Sequence, residues 1–182
     1  MATSPTSLIQ PSYSLLQVHI LIAEDDGFMG RLLTNALHDI GFRRVTAARN
    51  GEEAMLALKK SDEPVDILLT DWRMEPVSGL DLTTAIRSLA VPGGRVNPRM
   101  PIVMVTGCSE SHHVMAARDA GVTEYVIKPF TMKALCAKLR AAIEQPRPFI
   151  ECSQYRGPDR RRRAEPISFP CRRQLTPAQV AV

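Results

Sequence analysis

Four short apolar runs in this sequence end in residues able to hold or transfer charge. HILIA (19–23) leads into Glu24-Asp25-Asp26, DILLT (66–70) into Asp71, PIVMV (101–105) into Thr106-Gly107, and EYVI (124–127) into Lys128-Pro129. Carboxylates, a hydroxyl and an ammonium make a set with defined chemistry if the chain brings them together. Clustered carboxylates raise one another's pKa unless a cation joins them. Hard oxygen ligands that leave room for several waters suit Mg²⁺, and Mn²⁺ can substitute. With such an ion in place, Asp71 can act as a nucleophile toward a phosphoryl group and form an aspartyl-phosphate. The metal would neutralise charge on the phosphoryl oxygens. Lys128 could pair with the same oxygens, and Thr106 could donate a hydroxyl hydrogen bond to them. Singly, each residue has a plainer role: Asp25 or Asp26 as a helix N-cap, Thr106 as a turn residue, Lys128 as a solvated cation. Joint placement at four strand ends is what favours the reactive reading.

The elements that must position these residues are legible as alternating patterns. HILIA suits a strand buried on both faces. From Phe28 to Ile40, Met29, Leu32, Leu33, Ala36, Leu37 and Ile40 form one stripe of an amphipathic helix, and Gly41 stops it. VTA (45–47) reads as a strand. GEEAMLALKK follows as a helix with acids in its first turn and lysines in its last, as the helix dipole prefers. DILLT is a strand followed by a helix from Gly79 to Ala90. PIVMV is a strand followed by a helix from Glu110 to Ala120, ended by Gly121. EYVI is the fifth strand, and Thr131 to Glu144 the last helix. Five strand–helix units predict an α/β fold with a parallel sheet covered by helices on both faces. The doubly wound, flavodoxin-like strand order 2-1-3-4-5 fits best. In such a sheet, ligands bind outside the carboxyl ends of the strands at the switch in strand order, where the acids of strands 1 and 3 would converge.

Composition bounds the remaining choices. No apolar run approaches the roughly 20 residues that span a bilayer, and the N-terminus carries neither a positive n-region nor a long apolar h-region. A cytoplasmic protein is expected. Cys108, Cys136, Cys152 and Cys171 show no C-x-x-C pair and no zinc-finger spacing to histidine. The neighbours His112 and His113 are expected to point in different directions rather than share a metal. A P-loop is absent.

At this point the sequence resembles the receiver domain of bacterial two-component response regulators. The resemblance rests on LIAEDDGFMGRLL, DILLTDWRM…SGLDL, VMVTG and EYVIKPF, in that order, and covers roughly residues 18–145. It implies a stand-alone, chemotaxis-receiver-like phosphoprotein in a phosphorelay. In that reading Asp71 is the phosphoacceptor. Glu24 and Asp25 are the acidic pair that holds Mg²⁺, and the backbone carbonyl of Arg73 completes the metal site. Thr106 and Lys128 sense the phosphoryl group, and Tyr125 turns inward when Thr106 moves. Asp26 is left to cap the first helix. The implied donor is a histidine kinase or histidine phosphotransferase. The implied output surface is helix 4, strand 5 and helix 5, about residues 107–143, acting on an unnamed protein. Turnover would be slow Mg²⁺-dependent self-phosphorylation and hydrolysis rather than dedicated enzymology; a phosphohydrolase with an aspartyl nucleophile would want an acid where Arg73 stands. One departure is visible: Glu75 occupies the place where receivers usually carry proline, and Pro76 follows it. The loop could then take another path, and an added carboxylate near the site could alter metal affinity or dephosphorylation.

The ends of the chain differ from its middle. Residues 1–17 read as a flexible arm. Residues 1–145 carry 15 Lys/Arg against 16 Asp/Glu, whereas residues 146–182 carry eight Arg against three acids. The basic character therefore belongs to the tail, which reads as Pro/Arg-rich and disordered. Two roles stay open for it. It is a solvated or partner-binding arm, or Arg160 to Arg163 with Arg172 and Arg173 bind nucleic acid by phosphate neutralisation.

Overall fold

The computed structural model describes residues 15–61, 63–89, 96–107 and 109–161. Strands and helices alternate as β1 (His19–Ala23), α1 (Gly27–Ile40), β2 (Arg44–Ala48), α2 (Gly51–Lys60), β3 (Ile67–Thr70), α3 (Gly79–Arg87), β4 (Ile102–Thr106), α4 (Ser111–Ala120), β5 (Glu124–Ile127) and α5 (Met132–Glu144). The five strands form one parallel sheet in the order β2-β1-β3-β4-β5, the expected doubly wound topology.

Side chains alternate across a strand, and here both faces are apolar, so the sheet carries two cores. Leu21, Leu68, Ile102 and Met104 point to one face and pack with Ala54 of α2, Leu82 and Ile86 of α3 and Ala117 of α4. Ile20, Ile22, Ile67, Leu69, Val103 and Val105 point to the other and pack with Leu33 and Leu37 of α1 and Leu135 and Leu139 of α5. Burying these six residues removes them from water at roughly 1.5–3 kcal/mol each. That burial, rather than any single polar contact, holds the strand ends in place.

Local signals set the helix ends. Asp26 caps α1, its Oδ1 accepting from the backbone N–H of Phe28 and Met29, and Gly41 ends the helix at φ 118°, a left-handed conformation that glycine adopts without penalty. Asn50, Ser78 and Thr131 cap α2, α3 and α5. Helix α3 stops at Arg87, short of the expected Ala90. The amide of Leu89 turns back to the Ile86 carbonyl and Leu89 itself takes φ 60°, so the chain leaves the helical path there. Among the described residues, no helix is long and apolar enough to cross a membrane.

Toward both ends, the described residues depart from the expected flexible segments. Residues 1–14 of the proposed arm lie outside the described residues. Leu15, however, packs against the α1–α5 core, and the Gln17 carbonyl accepts from Arg44. In the tail expected to be disordered from residue 146, the described part, residues 146–161, contains an antiparallel hairpin, β6 (Phe149–Cys152) with β7 (Tyr155–Pro158). Its apolar residues show no long period because the hairpin builds no core of its own. It borrows one: Tyr155 is buried, the Arg87 and Arg99 guanidinium groups lie 5.6 and 5.4 Å from the Phe149 ring, and Arg147 donates to the carbonyls of Asp159 and Thr123. Nor are the first tail arginines simply solvated. Arg160 pairs with Asp119 of α4 at 2.7 Å and Arg161 with Asp159 at 2.7 Å. Arg162, Arg163, Arg172, Arg173, Cys108 and Cys171 lie outside the described residues; Cys136 and Cys152 are unpaired.

The start of α3 touches the end of β3 without room for a methyl group. A Cβ on Gly79 would fall 1.8 Å from the Asp71 carbonyl oxygen and 2.7 Å from Thr70 Oγ1, whereas one on Gly107 would meet nothing within 4 Å. Gly79→Ala should therefore lower the urea midpoint, by about 1–3 kcal/mol in stability, and Gly107→Ala should leave it unchanged. Equal stability for the two variants would contradict this packing.

Candidate functional site

The parallel ladder decides which functional residues meet. In register, Ala23 of β1 lies beside Thr70 of β3, and Thr106 of β4 beside Ile127 of β5. One residue further on, the Asp71 amide donates to the Ala23 carbonyl at 2.9 Å and the Lys128 amide to the Thr106 carbonyl at 2.8 Å. The chain thus leaves the sheet with Glu24 next to Asp71 and Thr106 next to Lys128.

The side chains close the arrangement. Lys128 Nζ donates to Glu24 Oε2 and to Asp71 Oδ2, each at 2.8 Å. Glu24 is buried, with 2% of its side chain exposed, against 13% for Asp71 and 20% for Lys128. Carboxylate oxygens of Glu24, Asp25 and Asp71 all lie within 4.8 Å of one another. The second Asp71 oxygen, Oδ1, accepts from the Trp72 amide. Asp26 faces away to its cap, as anticipated.

Burial and neighbours set the electrostatics. Glu24 is pushed above the ordinary carboxylate range, chiefly by burial; the hydrogen bond from Lys128 opposes this and the nearby Asp71 charge reinforces it. Burial works against the Lys128 ammonium, but its hydrogen bonds to Asp71 and Glu24 outweigh that and raise its pKa. Three carboxylates against one ammonium leave two formal negative charges, a deficit that a divalent cation would meet. Oxygen donors, with Asp25 exposed and Asp71 half-buried at the mouth, fit Mg²⁺ with its retained waters.

Asp71 and Thr106 open onto one cavity of about 250 Å³, lined also by Arg73, Gly107 and Glu110. Thr106 is buried and Arg73 exposed. Tyr125 lies apart from this cavity. It is half-buried against the α2–α4 core and lines a second cavity on the α4–β5 side. Glu75 is exposed and stands outside the three-carboxylate cluster, so its charge does not join the acids as the sequence left open. The bend after Asp71 is fastened by the Gly79 amide on the Trp72 carbonyl, by the Gly51 amide on the Val77 carbonyl, and by buried Met74.

One contributor was missed from the sequence. In the sequence Glu110 marks only a helix start, yet it lines the Asp71 cavity and pairs with His113 Nδ1 at 2.9 Å. His113 in turn meets Trp72 edge-on, ring centroids 5.2 Å apart. Its ring centroid also lies 4.0 Å from that of His112, so the two histidines do not diverge as expected. The i,i+3 spacing of Glu110 and His113 was the available signal.

Replacing Lys128 with alanine leaves Glu24 and Asp71 facing each other without their shared cation. Lys128→Ala should be less stable at pH 7, by less than the roughly 3–5 kcal/mol of a fully buried pair. The folded-state pKa of Glu24 lies above its unfolded value, so its neutral form contributes stability at low pH that is lost as pH rises through that pKa. Without Lys128 this rise is larger. The deficit should shrink as pH falls through the Glu24 range and grow above it, read by thermal unfolding across pH in metal-free buffer. A deficit independent of pH would contradict the linkage.

Comparison with known proteins agrees with this geometry. The family described as response regulator receiver domain matches residues 20–140. Chemotaxis protein CheY-3 of Vibrio cholerae is 35% identical over 126 residues, covering 69% of this chain and 92% of that protein. Chemotaxis protein CheY of Pseudomonas aeruginosa is likewise 35% identical, over 69% of this chain and 96% of its own. Among solved structures, a response regulator receiver domain protein from Clostridium thermocellum superposes with a TM-score of 0.61 at 24% identity, covering 70% of this chain and 94% of that one, a likeness of fold. By sequence, the chain belongs to the response regulator receiver domain family.

Proposed function

We propose that the chain is a cytoplasmic, phosphorylation-dependent switch of two-component signalling, and that Asp71 receives the phosphoryl group. The observation that carries this reading is Lys128 bridging Glu24 and Asp71 at 2.8 Å each, with Asp25 in the same carboxylate cluster and Thr106 on the same cavity. The donor is the phosphohistidine of a histidine kinase or phosphotransferase. An Asp71 carboxylate oxygen attacks phosphorus, the P–N bond breaks, and the imidazole leaves. Hydrolysis returns the carboxylate and inorganic phosphate. Glu24, Asp25, Asp71 and the Arg73 carbonyl would hold Mg²⁺, which when bound neutralises charge on the phosphoryl oxygens. Lys128 pairs with a phosphoryl oxygen as it now pairs with Asp71, and Thr106 donates its hydroxyl to another.

The output is a change of shape read by another protein. Lys128 directly follows β5 and Thr106 ends β4, so a new bond at either bears on the strand that carries Tyr125. A local charge event of this kind biases a two-state element, here the face of α4, β5 and α5. The ion pair of Arg160 with Asp119 of α4 favours a tail engaged with the domain over one given to nucleic acid.

Acetyl phosphate with Mg²⁺ should label the protein once, with intact mass rising by one phosphoryl group. Asp71→Asn and chelation of Mg²⁺ should each abolish the label. Label that persists in Asp71→Asn would remove Asp71 as the acceptor.

A further inference from the structure

The C-terminal hairpin touches the receiver where the switching face ends. Gly157 lies against Gly121 so closely that a Cβ would fall 2.8 Å from Gly121 Cα, and Gly121 in turn approaches the Arg156 carbonyl. Around this backbone contact sit three side-chain ties. Arg160 reaches Asp119 at 2.7 Å while its guanidinium lies 4.0 Å from the Tyr155 ring centroid. Arg147 donates to the Thr123 carbonyl just before β5. Arg87 Nε donates to the Gly121 carbonyl at 3.0 Å beneath the hairpin. The cavity that Tyr125 lines, about 190 Å³, has Val114 and Ala117 of α4 on one side and Arg147 and Arg160 of the tail on the other.

We propose that this hairpin is a built-in brake on the switch: docked, it holds the end of α4 and the start of β5 in their present arrangement and opposes the change that phosphorylation drives. The proposal rests on reading Asp71 as the phosphoacceptor. In the arrangement described, Lys128 bonds the Asp71 carboxylate itself, and this is the arrangement the hairpin contacts fit. Contacts that fit one state stabilise it against any other. A phosphoryl group that draws Lys128 and Thr106 toward itself pulls on β4 and β5, and Tyr125 and the α4 end answer at the wall shared with Arg147 and Arg160. Coupling between two sites is reciprocal. Releasing the hairpin must then favour phosphoryl binding, and phosphoryl binding must loosen the hairpin.

Beryllofluoride with Mg²⁺, a phosphoryl mimic, tests both directions on the full chain. Binding is followed by fluorescence of Trp72, the single tryptophan, which adjoins Asp71. Gly157→Val puts bulk where a Cβ already falls 2.6 Å from Tyr155 Oη and 2.8 Å from Gly121 Cα, so the docked hairpin no longer fits, and the φ there lies outside the left-handed region. It should lower the half-saturating beryllofluoride concentration at least about fivefold. Arg160→Ala, which adds no bulk, should shift it the same way by less. In the wild type, beryllofluoride should speed amide exchange across residues 149–158. Normal binding, absent in Asp71→Asn, with unchanged half-saturation in both variants and unchanged hairpin exchange overturns the brake and leaves the receiver reading intact. No beryllofluoride binding by the wild type overturns both.

Discussion

An ammonium shared between two carboxylates is the contact on which the rest of this site depends. Lys128 brings three donors, and two of them meet Glu24 and Asp71 at equal distance. Without it, two acids on adjacent strands would face each other at the edge of a low-dielectric sheet, where like charges repel strongly. With it, the acids converge at tolerable cost and still carry excess negative charge. That excess makes the site receptive to a divalent cation. The same ammonium also couples the middle of the sheet to β5, because it is anchored directly after that strand.

Such a contact needs strand ends that do not drift. The parallel ladder supplies them: β1, β3, β4 and β5 are tied residue by residue, and both faces are sealed by separate cores. Close backbone packing adds to it. Gly79 lies against the Asp71 carbonyl and Gly51 against Val77, so the bend after the acceptor is held by neighbours on both sides. Asp26 contributes by being elsewhere. Its carboxylate satisfies the first turn of α1, which keeps a fourth acid out of the cluster.

Most of this was legible beforehand because period and punctuation agree along the chain. The runs HILIA and EYVI coincide with β1 and β5, and GEEAMLALKK with α2. A carboxylate at the end of an apolar strand in a doubly wound order has one place to go, so the sequence pattern already brings Glu24, Asp25 and Asp71 together. What escaped reading depends on contacts between distant segments. Glu110 lines the Asp71 cavity from the start of α4, and its i,i+3 spacing to His113 points to their pairing but not to that cavity. The hairpin escaped for the same reason. Low apolar content argues against a core of its own, but a segment that rests on a finished domain needs only a few anchors, here Tyr155, Phe149 and the glycine contact at Gly157.

The deepest of those contacts is also the least settled electrostatically. Arg87 is 3% exposed, its Nε and Nη1 spread over the carbonyls of Gly121, Pro98 and Met100, and its Nη2 is buried without a partner among the described residues. Burial pulls its pKa down to about 10, so it stays charged at neutral pH at a desolvation cost. Carbonyl dipoles offset part of that cost, and the Phe149 ring, its face 5.6 Å away, offsets more through its quadrupole. The hairpin therefore covers a cation that solvent would also welcome. A lid of purely apolar contacts would close tightly and stay closed. One that sets a guanidinium under an aromatic face offsets its own closing energy with the cost of that cation's lost hydration, which is the kind of contact the proposed brake needs if a charge arriving at the other end of β5 is to release it.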